Sequence, residues 1–167
     1  VYTSAISADT GPDFLADHAT TEALLREPGV PFTVLRNSFY SDIFVNPGVV
    51  QAAAAAGEIA AATNGRGLNT ATIRDLGLAA SAVLTGEGHE GRVYELRGPV
   101  WTYDELAAAI SAATGKPVVH KEIPLTDADL VGALVSSGFF SEPGDDLAAL
   151  LGRPADGITD IVRRSVG

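Results

Sequence analysis

One stretch constrains the fold more than any other: Gly29-Val30-Pro31-Phe32-Thr33-Val34-Leu35-Arg36-Asn37-Ser38-Phe39-Tyr40. A short apolar strand, Phe32 to Leu35, runs directly into a polar segment, Arg36 to Asp42. In an open α/β sheet, ligands bind just beyond the carboxyl ends of the strands. If this strand lies in such a sheet, Asn37, Ser38, Tyr40 and Ser41 are in position to touch a ligand.

The rest of the chain supplies the alternation that such a sheet needs. Strand patterns fall at Val1 to Ser4, Glu58 to Ala62, Arg92 to Leu96 and Val118 to Ile123. Between them run helical patterns: Phe14 to Arg26, Ile43 to Ala56 with a break at Asn46-Pro47-Gly48, and Thr72 to Leu84. Further helices follow from Thr102 to about Thr114, from the Thr126-Asp127-Ala128-Asp129 cap to Ser136, and in the tail over Asp145 to Leu151 and Gly157 to Arg164. Pro28-Gly29, Gly57 and Gly115-Lys116-Pro117 are stop signals. Thr102 with Glu105 three residues on is a capping box. Alternating helices and strands argue an α/β fold. Val1-Tyr2-Thr3-Ser4 reads as a strand end with no strand–Gly-loop–helix unit before it, so the chain is expected to be the later half of a cofactor-binding domain.

Composition narrows the partners. Hydrophobic residues make up 46% and charged residues 19%, which suits a globular chain rather than a disordered one. The net charge of −10 leaves no basic stripe to displace counterions from phosphates, so nucleic acid is an unexpected partner. No apolar run reaches the roughly 18 residues of a membrane span. With no cysteine there is no disulfide, thiolate catalysis or thiolate metal site, which fits a reducing cytoplasm. No His/Asp/Glu cluster has metal-ligand spacing, His89 and His120 included, and no Gly-x-Ser-x-Gly elbow occurs.

A series of motifs carries a family resemblance: Tyr2-Thr3-Ser4, His18-Ala19-Thr20-Thr21-Glu22, Thr33 to Tyr40, Thr72-Ile73-Arg74-Asp75, Gly91-Arg92-Val93-Tyr94-Glu95-Leu96 with Gly98, Tyr103-Asp104-Glu105-Leu106 and Leu151-Gly152-Arg153-Pro154. Together they resemble the NmrA-like branch of the atypical short-chain dehydrogenase/reductases, closest to the type 2 NAD(P)H:quinone oxidoreductases. They run through nearly the whole chain in the family's order. The resemblance implies an NAD(P)-binding Rossmann-like fold whose amino-terminal βαβ units are missing. Residues 1–45 would end the Rossmann-like domain, and residues 46–167 would form a substrate-binding region interleaved with its last elements. It also implies hydride transfer from NADPH or NADH to a quinone or similar small carbonyl acceptor, within a larger parent chain. The alternative class is a dinucleotide-binding redox sensor without turnover. A third reading has the chain pair with an amino-terminal half or with a second copy through an open sheet edge.

Three departures from the family pattern stand out. The Gly-rich phosphate loop is absent, the segment before the final Gly-Arg-Pro is short with a jump at Gly138-Phe139, and the Tyr-x-x-x-Lys pair of ordinary short-chain dehydrogenases is missing. His18 stands where related proteins carry Lys.

The resemblance assigns roles residue by residue. Asn37, Ser38, Phe39, Tyr40, Ser41 and Asp42, with Thr3 and Arg74, fall at the cofactor. Tyr2, Ser4 and His18 fall near the acceptor as catalytic residues. Each also has a plainer reading. Asn and Ser are common at strand-end turns, and Tyr and Thr favour strands. His18 is spaced to pair with Glu22 at i,i+4. Arg74 sits at a helix start, where the dipole disfavours a cation, and an intramolecular ion pair would account for it. Trp101 reads as a packing residue.

Overall fold

The computed structural model describes residues 1–27, 29 and 31–166. In chain order the elements are β1 (Tyr2–Ala5), α1 (Ala16–Arg26) behind a 3₁₀ turn at Asp13–Leu15, β2 (Val34–Asn37), β3 (Phe39–Tyr40), α2 (Ser41–Phe44), α3 (Pro47–Ala56), β4 (Glu58–Ala61) and β5 (Leu68–Ala71). Then come α4 (Ile73–Thr85), β6 (Val93–Leu96), β7 (Val100–Trp101), α5 (Tyr103–Thr114), β8 (Val119–Glu122), α6 (Leu130–Ser137), α7 (Asp146–Leu151) and α8 (Ile158–Val166). They divide into two compact units. One is Val1–Phe39, Ala71–Gly98 and Gly144–Ala155; the other is Tyr40–Thr70, Pro99–Pro143 and Asp156–Gly167. The first break lies at Phe39–Tyr40, and both units are discontinuous in sequence.

In the first unit β1, β2 and β6 form a parallel sheet in the order β1-β2-β6. Their register levels Ala5, Asn37 and Leu96 at the carboxyl edge. Side chains alternate across a strand, so residues opposite one another share a face. Leu35, Tyr94 and Leu96 take one face and pack on α4 and α7, where Leu76, Ala79, Val83 and Leu147 complete the core. Tyr2, Ser4, Arg36 and Glu95 take the other face, against α1.

In the second unit α5 packs on α8 and α3, and β4 runs parallel to β8. Ile158, Ile161 and Val162 of α8 are the buried stripe of its amphipathic pattern, facing Leu106 and Ile110 of α5. β5 pairs antiparallel with β7, with Leu68 opposite Trp101.

Local signals forecast most ends correctly. Asn46 accepts from the N–H groups of Gly48 and Val49 and starts α3, with Pro47 in its first turn. Thr102 and Glu105 form the reciprocal capping box of α5, and Gly115 closes that helix in the left-handed region. Pro28, expected with Gly29 to end α1, lies outside the described residues, as does Val30.

Three readings change. The strand expected at Phe32 to Leu35 is Val34–Asn37, because Arg36 is a ladder residue whose charge is answered by buried carboxylates rather than by water. β5 and β7 are strands where the sequence suggests none. β5 is buried throughout yet carries Asn69 and Thr70, which show no apolar alternation. Asn69 Nδ2 donates to the carbonyls of Phe140 and Glu142 at 2.6 and 2.9 Å. Gly67 precedes β5 because a Cβ there would lie 2.8 Å from Val100 Cγ1. The Gly138-Phe139 jump is an ordered helix end: Gly138 caps α6 at φ +84°, and Phe140 is buried in edge contact with Phe139.

Candidate functional site

Two residues apart on β1, Tyr2 and Ser4 point the same way; four apart on α1, His18 and Glu22 do too. The two spacings match. Tyr2 Oη lies 3.2 Å from His18 Nδ1, and Ser4 Oγ donates to Glu22 Oε1 at 2.7 Å. His18 therefore meets Tyr2, while Glu22 bonds Ser4, Arg26 and Arg36.

Opposite Ser4 on the next strand is Arg36, and opposite Arg36 on the third is Glu95. Arg36 is only 5% exposed and Glu22 is 0% exposed. Arg36 gives Nε and Nη2 to the two oxygens of Glu22 at 2.9 and 2.7 Å, the bidentate fork that suits a buried pair. Its Nη1 reaches Asp9 at 2.8 Å and Glu95 at 2.9 Å. Burial alone would push the Glu22 carboxyl up, but hydrogen bonds from Arg36 and Ser4 prevail and hold it below the usual range. The Arg36 hydrogen bond likewise lowers Asp9, and the carboxylates around Arg36 keep its guanidinium charged.

The cluster reaches the carboxyl edge of the sheet. Ser7, two residues past β1, has φ +55°. Its N–H donates to both Glu95 oxygens, and its hydroxyl accepts from Arg97 Nη2 at 3.0 Å. Side-chain bonds thus hold a strained backbone at the edge where α/β sheets bind ligands. Polar groups lacking partners collect here as well. The half-buried Asn37 amide makes no hydrogen bond among the described residues. Ser38 Oγ and Arg97 Nη1, each one residue past the level ends of adjacent strands, are buried without partners among the described residues.

The remaining predicted positions are scattered. Thr3 is exposed on the face of β1 opposite Tyr2 and Ser4. Arg74, in the first turn of α4, is exposed and forms no ion pair among the described residues. Its neighbour Asp75 is fully buried and pairs with Arg153 at 2.5 Å, so the Thr72–Asp75 and Leu151–Pro154 motifs meet. Phe39 is half-buried. In the second unit Tyr40 and Asp42 are exposed, while the buried Ser41 hydroxyl lies 2.7 Å from Thr70 Oγ1. Trp101 Nε1 donates to the same Thr70 oxygen at 2.9 Å. His89 Nδ1 lies 2.8 Å from Tyr94 Oη. No group of three or more His, Cys, Asp or Glu among the described residues could hold a metal.

Sequence reasoning gave no role to Ser7, Asp9, Glu95 or Arg97, and treated Arg36 only as the start of a polar segment. The available signal was charge inside strand patterns, Arg36 after Val34-Leu35 and Glu95 between Tyr94 and Leu96. A charge so placed needs a buried partner.

No family model matches the chain. Quinone oxidoreductase 2 of Escherichia coli (strain K12) is 39% identical over 156 residues, covering 88% of this chain and 51% of that protein. The chain thus spans about half the length of that curated relative. The structure of the same E. coli protein complexed with NADPH superimposes with a TM-score of 0.83 at 33% identity, over 98% of this chain and 64% of the other. The triphenylmethane reductase of Citrobacter sp. gives a TM-score of 0.90 at 32% identity, over 99% of this chain and 63% of that one. NmrA, a negative transcriptional regulator solved with NADP, shares the fold alone, with a TM-score of 0.70 at 15% identity over 97% of this chain and 62% of NmrA. On these relationships, and on its parallel sheet with helices on both faces, the chain belongs to the NmrA-like atypical short-chain dehydrogenase/reductases, with the Rossmann-like fold of that family.

Proposed function

We propose that the parent protein is a cytoplasmic oxidoreductase that uses NADPH or NADH to reduce a quinone or similar small carbonyl compound. One observation carries the reading. At the carboxyl edge of a parallel sheet, the Asn37 amide and the Ser38 hydroxyl have no partner among the described residues. Buried or half-buried polar groups without partners call for a polar ligand, and this edge is where α/β sheets take one. These donors and acceptors fit a nicotinamide ribose and carboxamide. Asn37 and Ser38 would bond it directly, with Phe39 next to them in the same unit. The bound dinucleotide supplies the hydride.

The Tyr2–His18 couple lies level with Val34, three residues below the carboxyl edge, and braces β1 against α1 rather than reaching the acceptor. Ser4 acts through Glu22 and so positions rather than touches. Quinone oxidoreductase 2 and the triphenylmethane reductase, both reductases by name, support the assignment. β1 pairs on one side only, with β2, among the described strands. Its open edge would take a further strand, from an amino-terminal half or a second copy.

Calorimetry with NADPH, followed by NADPH oxidation with a benzoquinone, tests this. Asn37→Ala should weaken NADPH binding about tenfold, roughly 1.4 kcal/mol. Tyr2→Phe, remote from this edge, should leave both kcat and NADPH affinity near those of the unaltered protein. Binding without oxidation would make the protein a dinucleotide sensor, and unaltered affinity in Asn37→Ala would remove this edge from the cofactor site.

A further inference from the structure

The second unit encloses a cavity of about 230 Å³ that the oxidoreductase reading does not use. Its walls include Ala61 after β4, Tyr103 opening α5, Ile123 after β8, and Asp129, Val131 and Val135 around the start of α6. Of the described residues lining it, only Asp129 is charged. Asp129 Oδ1 accepts the Gly132 N–H at 2.8 Å, capping α6, and Oδ2 accepts no hydrogen bond among the described residues. Glycine at 132 is what lets the carboxylate sit there, because a Cβ would overlap Oδ2. The Tyr103 hydroxyl also has no hydrogen-bond partner among the described residues, although its ring is flanked by Trp101 and His120 at 5.5 Å each. Burial and the Asp129 charge push its phenol above the ordinary value of 10, so it stays neutral beside the carboxylate. Of the lining residues, Ile123 and Val131 are exposed.

We propose that this cavity binds a small apolar monocation, its ammonium head at Asp129 and its hydrocarbon body against Ile123, Val131 and Val135. An anion would meet the carboxylate on a chain of net charge −10. A metal ion lacks the ligand set among the described residues. A neutral apolar molecule would leave Asp129 Oδ2, the oxygen the helix start does not use, without a partner among the described residues. A quaternary ammonium carries its charge under methyl groups and sheds water cheaply, which suits apolar walls with one anion and a phenol.

Calorimetry with benzyltrimethylammonium chloride, and with benzyl alcohol as the uncharged counterpart, tests the site. Saturable one-to-one binding of the cation is expected, with little heat from the alcohol. Asp129→Asn keeps a good helix cap and should weaken the cation about tenfold. Val131→Phe, a change at an exposed helix position, should fill the cavity and abolish binding. Circular dichroism confirms that each variant is folded, and if one is not, the other decides. No saturable binding to the unaltered protein overturns the proposal. So does equal affinity for the alcohol, or undiminished binding in either folded variant.

Discussion

In the first unit, Arg36 and Glu22 meet on the face of a parallel sheet, both buried and both charged. In the second, Trp101 is equally buried but gives its indole N–H to Thr70, which shares a neutral contact with Ser41. Its ring packs with Phe44 at 6.0 Å and Tyr103 at 5.5 Å. One region orders itself with ions, the other with rings and hydroxyls. The difference lies in what happens when a partner is lost. A buried ion left alone cannot be rehydrated without opening the core, whereas a lost indole N–H leaves Thr70 still bonded to Ser41.

The largest effect should come from Glu22→Ala. It takes the bidentate partner from Arg36, leaving Nε and Nη2 unanswered while Nη1 keeps Asp9 and Glu95, and should cost about 3 kcal/mol in urea unfolding. Replacing both partners, Glu22→Leu with Arg36→Met, should recover most of that loss. If the double variant is no more stable than the single one, the stranded charge is not the cause. Acid should act on the same cluster. Glu22 and Asp9 have folded values held below their ordinary 4.5 and 3.8. Their contribution is therefore complete above those ordinary values and is lost as pH falls through the depressed ones. Hydrogen exchange below about pH 4 should loosen β1 and β2 before α5 and α8. In the second unit Glu122 is also held low, by Thr63 and Asn64, but it is exposed and answered by solvent. Equal loosening of both units would refute the contrast.

Smaller changes sharpen it. Trp101→Phe should cost about 2 kcal/mol, from one hydrogen bond and some lost volume. Thermal unfolding should show that cost unchanged between neutral and mildly acidic pH. Thr102→Ala removes one half of the α5 capping box and should cost about 1 kcal/mol, again without pH dependence.

How far each feature was legible follows the same line. The caps of α3 and α5, the left-handed ends at Gly57 and Gly115, and the apolar stripe of α8 were set by residues within a turn of one another, so the sequence alone determined them. The alternation of elements that implies an α/β fold, and the family motifs, were equally open to reading. The nearness of Asn37 and Ser38 to a strand end was visible too, although the end itself lies two residues later than expected. Only the tertiary structure decided the rest. It brought Tyr2 to His18 across 16 residues, Arg36 to Glu95 across 59 and Asn69 to Phe140 across 71. It made a strand of β5, which shows no apolar alternation, and left Ser38 Oγ without a partner among the described residues while giving Ser4 and Ser41 one each. The physical reason is that caps and periodicity are energies of neighbouring residues. Whether a desolvated polar group is satisfied depends on what distant segments place against it, and no local pattern encodes that.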